Sequence, residues 1–312
     1  MSDQFLWTEK YRPQTVQECI LPDRLKKVFQ QYVDDDQIPN LILAGPPGVG
    51  KTTLAVAMCE EIGLSYLFVN SSEERGIDIL RTKIRNYGST ISLKSSRKVI
   101  ILDEADNITA DAQLALRGCI EEFSGHCTFI LTCNFKAKLI DAIHSRCAVI
   151  DFQLQPDEKP HMALGFLKRI EEILKKENVS YERNVLFKLV ERYFPDYRRT
   201  LNELQRFSRL GPINVGTLSS VATLKKFDDL VVFLKAKDFG ETRKWVAQNS
   251  DVDVSYLFRS VYDSLYNVMK PEDIPQAVVI LAKYQYQSAF VSDQEINLVA
   301  CLTEIMASCA FK

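Results

Sequence analysis

Gly45-Pro46-Pro47-Gly48-Val49-Gly50-Lys51-Thr52 carries the spacing G-x-x-x-x-G-K-[ST], the pattern of a phosphate-binding loop. Its glycines let the backbone turn successive N–H groups toward phosphate oxygens at a helix N-terminus, where the helix dipole favours an anion. Lys51 is placed to neutralise charge on the β- and γ-phosphates and the Thr52 hydroxyl to complete a Mg²⁺ shell, with Thr53 next in the same turn. Further along, Val99-Ile100-Ile101-Leu102 delivers Asp103-Glu104 to the C-terminal end of a predicted strand, where ligands collect in open parallel sheets. Asp103 is then a metal ligand acting through water, and Glu104 the group that orients or deprotonates an attacking water. An isolated Asp-Glu after a strand is ordinarily the start of a loop; the upstream phosphate loop changes that reading. These residues describe a nucleoside triphosphatase and name no partner.

The elements that must hold these groups are written in the apolar periodicity. Leu41-Ile42-Leu43-Ala44, Tyr66-Leu67-Phe68-Val69, Val99-Ile100-Ile101-Leu102, Phe129-Ile130-Leu131-Thr132 and Ala148-Val149-Ile150 are short apolar runs separated by helix-length segments. That alternation predicts an α/β domain with a parallel sheet covered on both faces. The phosphate loop follows the first run and opens a helix whose inward face is Leu54, Ala55, Met58, Cys59 and Ile62. After Gln155-Pro156 the strand signals stop. Amphipathic helices are predicted over 161–176, 184–193 and 197–210, the last halted by Gly211-Pro212. More follow over 227–235, 239–248, 254–269, 271–284 and 293–310. The expected organisation is three-part: α/β over 1–155, a small helical domain over 156–211, and an all-α domain over 212–312.

Composition excludes several classes. The 312 residues are 46% hydrophobic and 26% charged, which is ordinary globular usage, and the length suits two or three domains. With 39 Lys+Arg against 41 Asp+Glu, the net charge is −2, so any nucleic-acid contact must be local. The eight cysteines (19, 59, 119, 127, 133, 147, 301 and 309) include no C-x-x-C pair, and only three histidines are present; they read as buried thiols in a reducing compartment. The opening Met-Ser-Asp-Gln-Phe-Leu-Trp has neither a basic n-region nor an apolar h-region, and no apolar stretch is long enough to span a bilayer. A cytoplasmic protein without membrane association is expected.

Around the phosphate loop the chain resembles the AAA+ clamp-loader family, especially the replication-factor-C small subunits. Trp7-Thr8-Glu9-Lys10-Tyr11-Arg12-Pro13 is similar to the family's W-x-E-K-Y-R-P box, and Val69-Asn70-Ser71-Ser72-Glu73-Glu74-Arg75-Gly76-Ile77 to its N-A-S-D-x-R-G-I box. Leu102 to Asp106 and Ala112 to Arg117 resemble L-D-E-A-D and A-Q-x-A-L-R, Thr132-Cys133-Asn134 the sensor asparagine, and Ser145-Arg146-Cys147 the S-R-C triplet. Glu18-Cys19-Ile20-Leu21-Pro22 and Phe194-Pro195-Asp196-Tyr197-Arg198-Arg199-Thr200 point to the large (ATPase) subunits of T-even-like phages, although the phosphate loop has the ordinary Gly-Pro-Pro-Gly form.

The resemblance implies an AAA+ α/β domain, a helical lid and an α-helical collar that joins subunits. It implies ATP and Mg²⁺ as cofactors, with Tyr11, Arg12 and Pro13 around the adenine and Asn134 sensing the γ-phosphate. Arg198, or Arg199 next to it, would reach the phosphates from the lid. Arg146 would act in trans on a neighbour's ATP, with Arg117 also facing that neighbour and Gln113 coupling. Residues 71–98 hold seven basic side chains (Arg75, Arg81, Lys83, Arg85, Lys94, Arg97, Lys98) against Glu73, Glu74 and Asp78. Arg75, Arg81, Lys83 and Arg85 would track DNA phosphates, without reading bases; Arg75 would also restrain Glu104 until DNA arrives. The implied partners are further copies of the chain, four in all, with one second subunit, a ring-shaped sliding clamp and primer-template DNA. The implied function is ATP-driven clamp loading in DNA replication. The alternatives are another AAA+ DNA motor, such as a branch-migration helicase, or a structural ring subunit with weak hydrolysis.

Overall fold

A computed structural model describes residues 5–72, 77–90, 97–209, 211–214, 225–249 and 254–312. The chain divides into two compact units, Met1–Val215 and Gly216–Lys312.

In the first unit, β1 (Leu41–Ala44), β2 (Tyr66–Asn70), β3 (Lys98–Asp103), β4 (Cys127–Cys133) and β5 (Ala148–Asp151) form one parallel sheet in the order β2-β3-β4-β1-β5. The register places Leu41 opposite both Ile130 and Ala148. Strand alternation divides the apolar residues between two cores. Ile42, Ile100, Leu102, Phe129 and Leu131 face one, completed by Ile84 of α4 (Ile77–Ser89) and Leu116 and Ile120 of α5 (Ala110–Glu122). Leu41, Leu43, Val99, Ile101 and Ile130 face the other, completed by Phe29 of α2 (Asp23–Asp34) and Leu54 and Met58 of α3 (Lys51–Ile62). β1 and β4 are buried throughout, as their unbroken apolar runs require. The edge strands differ, with Phe68 of β2 and Val149 of β5 exposed.

Two further helices complete the α/β part: α1 (Trp7–Lys10) and α6 (Asp141–His144). The lid follows as α7 (Glu158–Lys176), α8 (Arg183–Tyr193) and α9 (Tyr197–Ser208). α7 begins three residues ahead of its expected start, because Pro160 lies in the first turn, where its missing N–H costs no helical hydrogen bond. Asp196 caps α9, its Oδ1 accepting the Arg199 N–H at 2.9 Å.

The second unit holds α10 (Lys225–Ala236), α11 (Phe239–Gln248), α12 (Val254–Val268), α13 (Ile274–Gln287) and α14 (Gln294–Ser308). They share one core, into which Leu257, Val261 and Leu265 of α12 all point. The helix expected over 271–284 instead starts at Ile274 with Pro275 in its first turn, and Pro271 opens the preceding turn. All eight cysteines are free and buried. Among the described residues no His/Cys/Asp/Glu cluster could hold a metal, and no helix is long and apolar enough to cross a membrane.

Candidate nucleotide-binding site

The phosphate loop leaves the C-terminal end of β1, and its glycines sit where side chains do not fit. A Cβ on Gly45 would lie 2.8 Å from that of Phe152. Gly48 (φ +78°) and Gly50 (φ +91°) are left-handed, and a Cβ on Gly48 would enter the Asp196 carboxylate. The lid lies directly on the loop, for the Tyr197 N–H donates to the Gly48 carbonyl at 3.1 Å.

Lys51 is buried, and its Nζ donates to the carbonyls of Gly45 (2.7 Å) and Pro46 (2.8 Å) and to Asn134 Oδ1 (3.0 Å). Burial pushes its ammonium below the ordinary lysine value. Asn134 stands just past β4, which is next to β1, so the strand order itself brings the two together. Asp103 closes β3, and its Oδ1 accepts the hydroxyls of Thr52 (2.5 Å) and Thr132 (2.6 Å). A carboxylate paired with a hydroxyl beside a phosphate loop is a hard-oxygen donor set that fits Mg²⁺.

Glu104 is a non-glycine residue with φ +55°, a conformation that costs an L-residue about 1–2 kcal/mol. Its N–H donates to Thr132 Oγ1 at 3.1 Å. Its Oε2 accepts the Ser72 hydroxyl and Asn107 Nδ2, the latter at 3.1 Å. The carboxylate is thus tied to the end of β2. Arg75, expected to restrain it, lies outside the described residues.

One cavity joins these groups to the N-terminal segment. Tyr11, Arg12 and Pro13 line it with Pro47, Gly48, Val49, Gly50, Lys51, Thr52 and Thr53, with Asp103, Glu104 and Asn134, and with Arg198 from the lid. Gly45 and Pro46 stand behind it and meet Lys51 through their carbonyls. Of the two adjacent arginines, Arg198 faces the cavity, whereas the Arg199 guanidinium lies 5.0 Å from the centre of the Tyr193 ring. Sequence reading missed Arg169, Phe166, Ile173 and Tyr197, which face the same cavity from the lid. No spacing rule links them to a phosphate loop more than a hundred residues away.

Arg146 is at the other end of the sheet. It precedes Ala148, the partner of Leu41 at the start of β1, while the phosphate loop follows Ala44. Its guanidinium is held by Glu121, with Nε–Oε1 at 2.8 Å, and by the Ala142 carbonyl at 2.6 Å. Arg117 is exposed on α5. Gln113, on the same helix, is buried; it donates to the carbonyls of Ile108 and Lys138 at 3.1 Å and accepts the Ile140 N–H at 2.9 Å. It thereby ties α5 to the segment between Asn134 and Arg146. Arg81, Lys83 and Arg85 are exposed on α4, and Arg85 pairs with Glu122 at 3.0 Å. Lys98 leaves the basic surplus: it is buried, and its ammonium caps α4 through the Tyr87 carbonyl (2.7 Å) and Thr90 Oγ1 (2.8 Å).

Residues 41–154 match the model of the ATPase family associated with various cellular activities. Residues 158–219 match the AAA+ ATPase lid domain of the sliding-clamp-loader large subunit. The chain is 33% identical over 309 residues to the sliding-clamp-loader large subunit of Enterobacteria phage T4, covering 97% of this chain and 96% of that one. It is 35% identical over 273 residues to the replication factor C small subunit of Archaeoglobus fulgidus, covering 82% and 84%. Among solved structures, a Thermotoga maritima RuvB variant shares the fold, with a TM-score of 0.52 and 18% identity over 67% of this chain and 71% of that one. The two family models over residues 41–154 and 158–219, and identities of 33% over 97% of the chain and 35% over 82% of it, place the chain in the AAA+ ATPases, as a member of the clamp-loader family.

Proposed function

We propose that this chain is the ATP-hydrolysing subunit of a sliding-clamp loader, acting with Mg²⁺ at primer-template junctions during DNA replication. The observation that carries the reading is the meeting of Lys51, the Thr52–Asp103 pair, Glu104, Asn134 and lid residue Arg198 in one cavity, with Arg146 at the opposite end of the sheet. ATP supplies the anhydride bond that is cut. Thr52 and Asp103 would hold Mg²⁺, and Lys51 would turn from its carbonyl partners to the phosphates. Glu104 accepts a proton from water once it leaves Ser72 and Asn107. Tyr11, Arg12 and Pro13 enclose the base, Asn134 reads the γ-phosphate position, and Arg198 holds the lid down on the phosphates.

Arg146, at the sheet end away from its own chain's phosphate loop, is assigned to a neighbour's ATP, where such an arginine contributes roughly 10³–10⁵ in rate. Arg117 faces the same neighbour. Arg81, Lys83 and Arg85, with Arg75, form the DNA-facing row, and Gln113 carries the coupling. Residues 1–155, 156–211 and 212–312 then serve as engine, lid and collar. The assembly proposed is four copies with one second subunit, as the family resemblance implies, working in the cytoplasm of a phage-infected host.

The test is steady-state ATPase of the chain with its partner subunit, with and without clamp and primer-template DNA. Stimulation that requires clamp and a recessed 3′ end supports loading. Strand separation without a clamp would favour the branch-migration reading, and negligible turnover in the full assembly a structural subunit.

A further inference from the structure

Residues 5–12 pass along the base side of the cavity, and lid side chains far away in sequence anchor them. Gln205 of α9, itself buried, accepts the Trp7 N–H at 3.0 Å and donates to the Phe5 carbonyl at 2.7 Å. Glu177, the first residue after α7, accepts on the single atom Oε1 both Lys10 Nζ, at 2.6 Å, and the Tyr11 hydroxyl. Lys176 Nζ lies 5.9 Å from the centre of the Tyr11 ring. Beyond Pro13 the anchorage changes: the Val16 N–H donates to Glu61 of α3 at 2.7 Å, and Val16 is fully buried in the α/β core. Tyr11 therefore lines the cavity at the point where the chain crosses from the lid to the sheet, and its hydroxyl donates to Glu177, with the Lys10 ammonium on the same carboxylate oxygen. Glu177 does not line the cavity.

We propose that Glu177 is a positioning residue that sets base selectivity, by holding the Tyr11 ring as a fixed wall of the nucleotide pocket. The proposal rests on the nucleotide reading above and deepens it. An aromatic face stacks on any purine, so discrimination between purines depends on how rigidly the wall fixes the base against its hydrogen-bonding edge. A tyrosine released from Glu177 keeps its stacking surface and loses its fixed place. Lys10 and Tyr11 hold the Glu177 carboxyl below the usual carboxylate range, so the clasp is intact at neutral pH.

Calorimetric titration of the full chain with ATP, GTP and inorganic tripolyphosphate tests this. Glu177→Ala should weaken ATP roughly 10- to 100-fold, the loss of one charge-assisted contact, narrow the ATP:GTP ratio, and leave tripolyphosphate binding unchanged. Glu177→Gln, which retains an acceptor for the tyrosine, should fall between. Tyr11→Phe added to Glu177→Ala should cost nothing further. Unchanged ATP binding, an unchanged ATP:GTP ratio, or equal losses for ATP and tripolyphosphate would each overturn the proposal. A wild-type chain that binds none of the three would overturn the nucleotide reading and the proposal with it.

Discussion

Replacing Asp103 separates metal binding from architecture. Its Oδ1 accepts hydroxyl protons from Thr52 at 2.5 Å and Thr132 at 2.6 Å, and Thr132 in turn accepts the Glu104 N–H at 3.1 Å. In Asp103→Asn a carbonyl oxygen takes the same place and accepts both protons without the charge. Hydrogen bonds to charged groups contribute about 1.5–3 kcal/mol and neutral ones about 0.5–1.5. The loss for two bonds is then roughly 2 kcal/mol, or roughly 4–8 °C in the melting of a unit this size. Asp103→Ala removes the acceptor and frees Thr132, so Glu104 loses the anchor of its left-handed backbone as well; roughly 4 kcal/mol and twice the shift are expected. Scanning calorimetry in EDTA measures both. Titration with a fluorescent ATP analogue then separates the metal: without Mg²⁺, Asp103→Asn should bind nucleotide at least as tightly as wild type, because a negative charge facing the phosphates has gone. With Mg²⁺, both variants should lack the tightening seen in wild type. A wild-type Mg²⁺ effect in Asp103→Asn would refute the metal assignment, and an Asn variant as unstable as the Ala variant would refute the shared-acceptor account.

Arg146→Ala should retain ATP binding and lose turnover by roughly 10³-fold or more. Mixing it with Glu104→Gln subunits should restore part of the rate, since one type of mixed interface has both groups intact; assembly without recovery would contradict action in trans. Arg81→Ala with Arg85→Ala should weaken DNA stimulation and reduce its log–log salt slope by roughly two, with little change in melting temperature because the Arg85–Glu122 pair is exposed. A loss of stimulation with an unchanged slope would argue against phosphate contacts. Burial pushes the thiols of Cys19, Cys59 and Cys301 up to about 12, so at pH 8 roughly one in ten thousand is thiolate. Ellman's reagent should find no fast thiol in the native chain and all eight after unfolding; a fast native thiol would mean that the packing around it is wrong.

The phosphate loop and Asp103 were readable from sequence because each sits at the end of an apolar strand, and a parallel sheet brings such ends together whatever the connections do; Asn134, also at a strand end, was singled out by the family resemblance. Long periodic helices such as 239–248 were readable for the same reason, since burial on one face imprints itself every three to four residues. Prolines misled at both α7 and α13: Pro160 lies inside the first turn and not ahead of it, whereas Pro271, expected to open α13, lies in the turn before it. What stayed hidden was the lid's share of the cavity. Arg169 faces the cavity, and Glu177 reaches Tyr11 beside it, only because α7 lies over the site, and single charged residues on or after a helix have the spacing of any solvated face. Lys98 shows the converse: counted as part of a basic surface, it is spent on the C-terminal carbonyls of α4, which composition cannot reveal.

The placement of the phosphate loop and Arg146 at opposite ends of one sheet constrains symmetry. With Arg146 assigned to a neighbour's nucleotide as proposed, a pair of copies joined head-to-tail completes one catalytic centre and leaves the other open, whereas a two-fold dimer must by symmetry complete both or neither. An open arc of such subunits has one centre fewer than it has members, with an unassisted nucleotide at one end and an unused arginine at the other. Activity per subunit would therefore climb with the length of the arc. Unless the rotation closes, both ends can go on adding copies, and a differently shaped terminal subunit is the economical way to stop them.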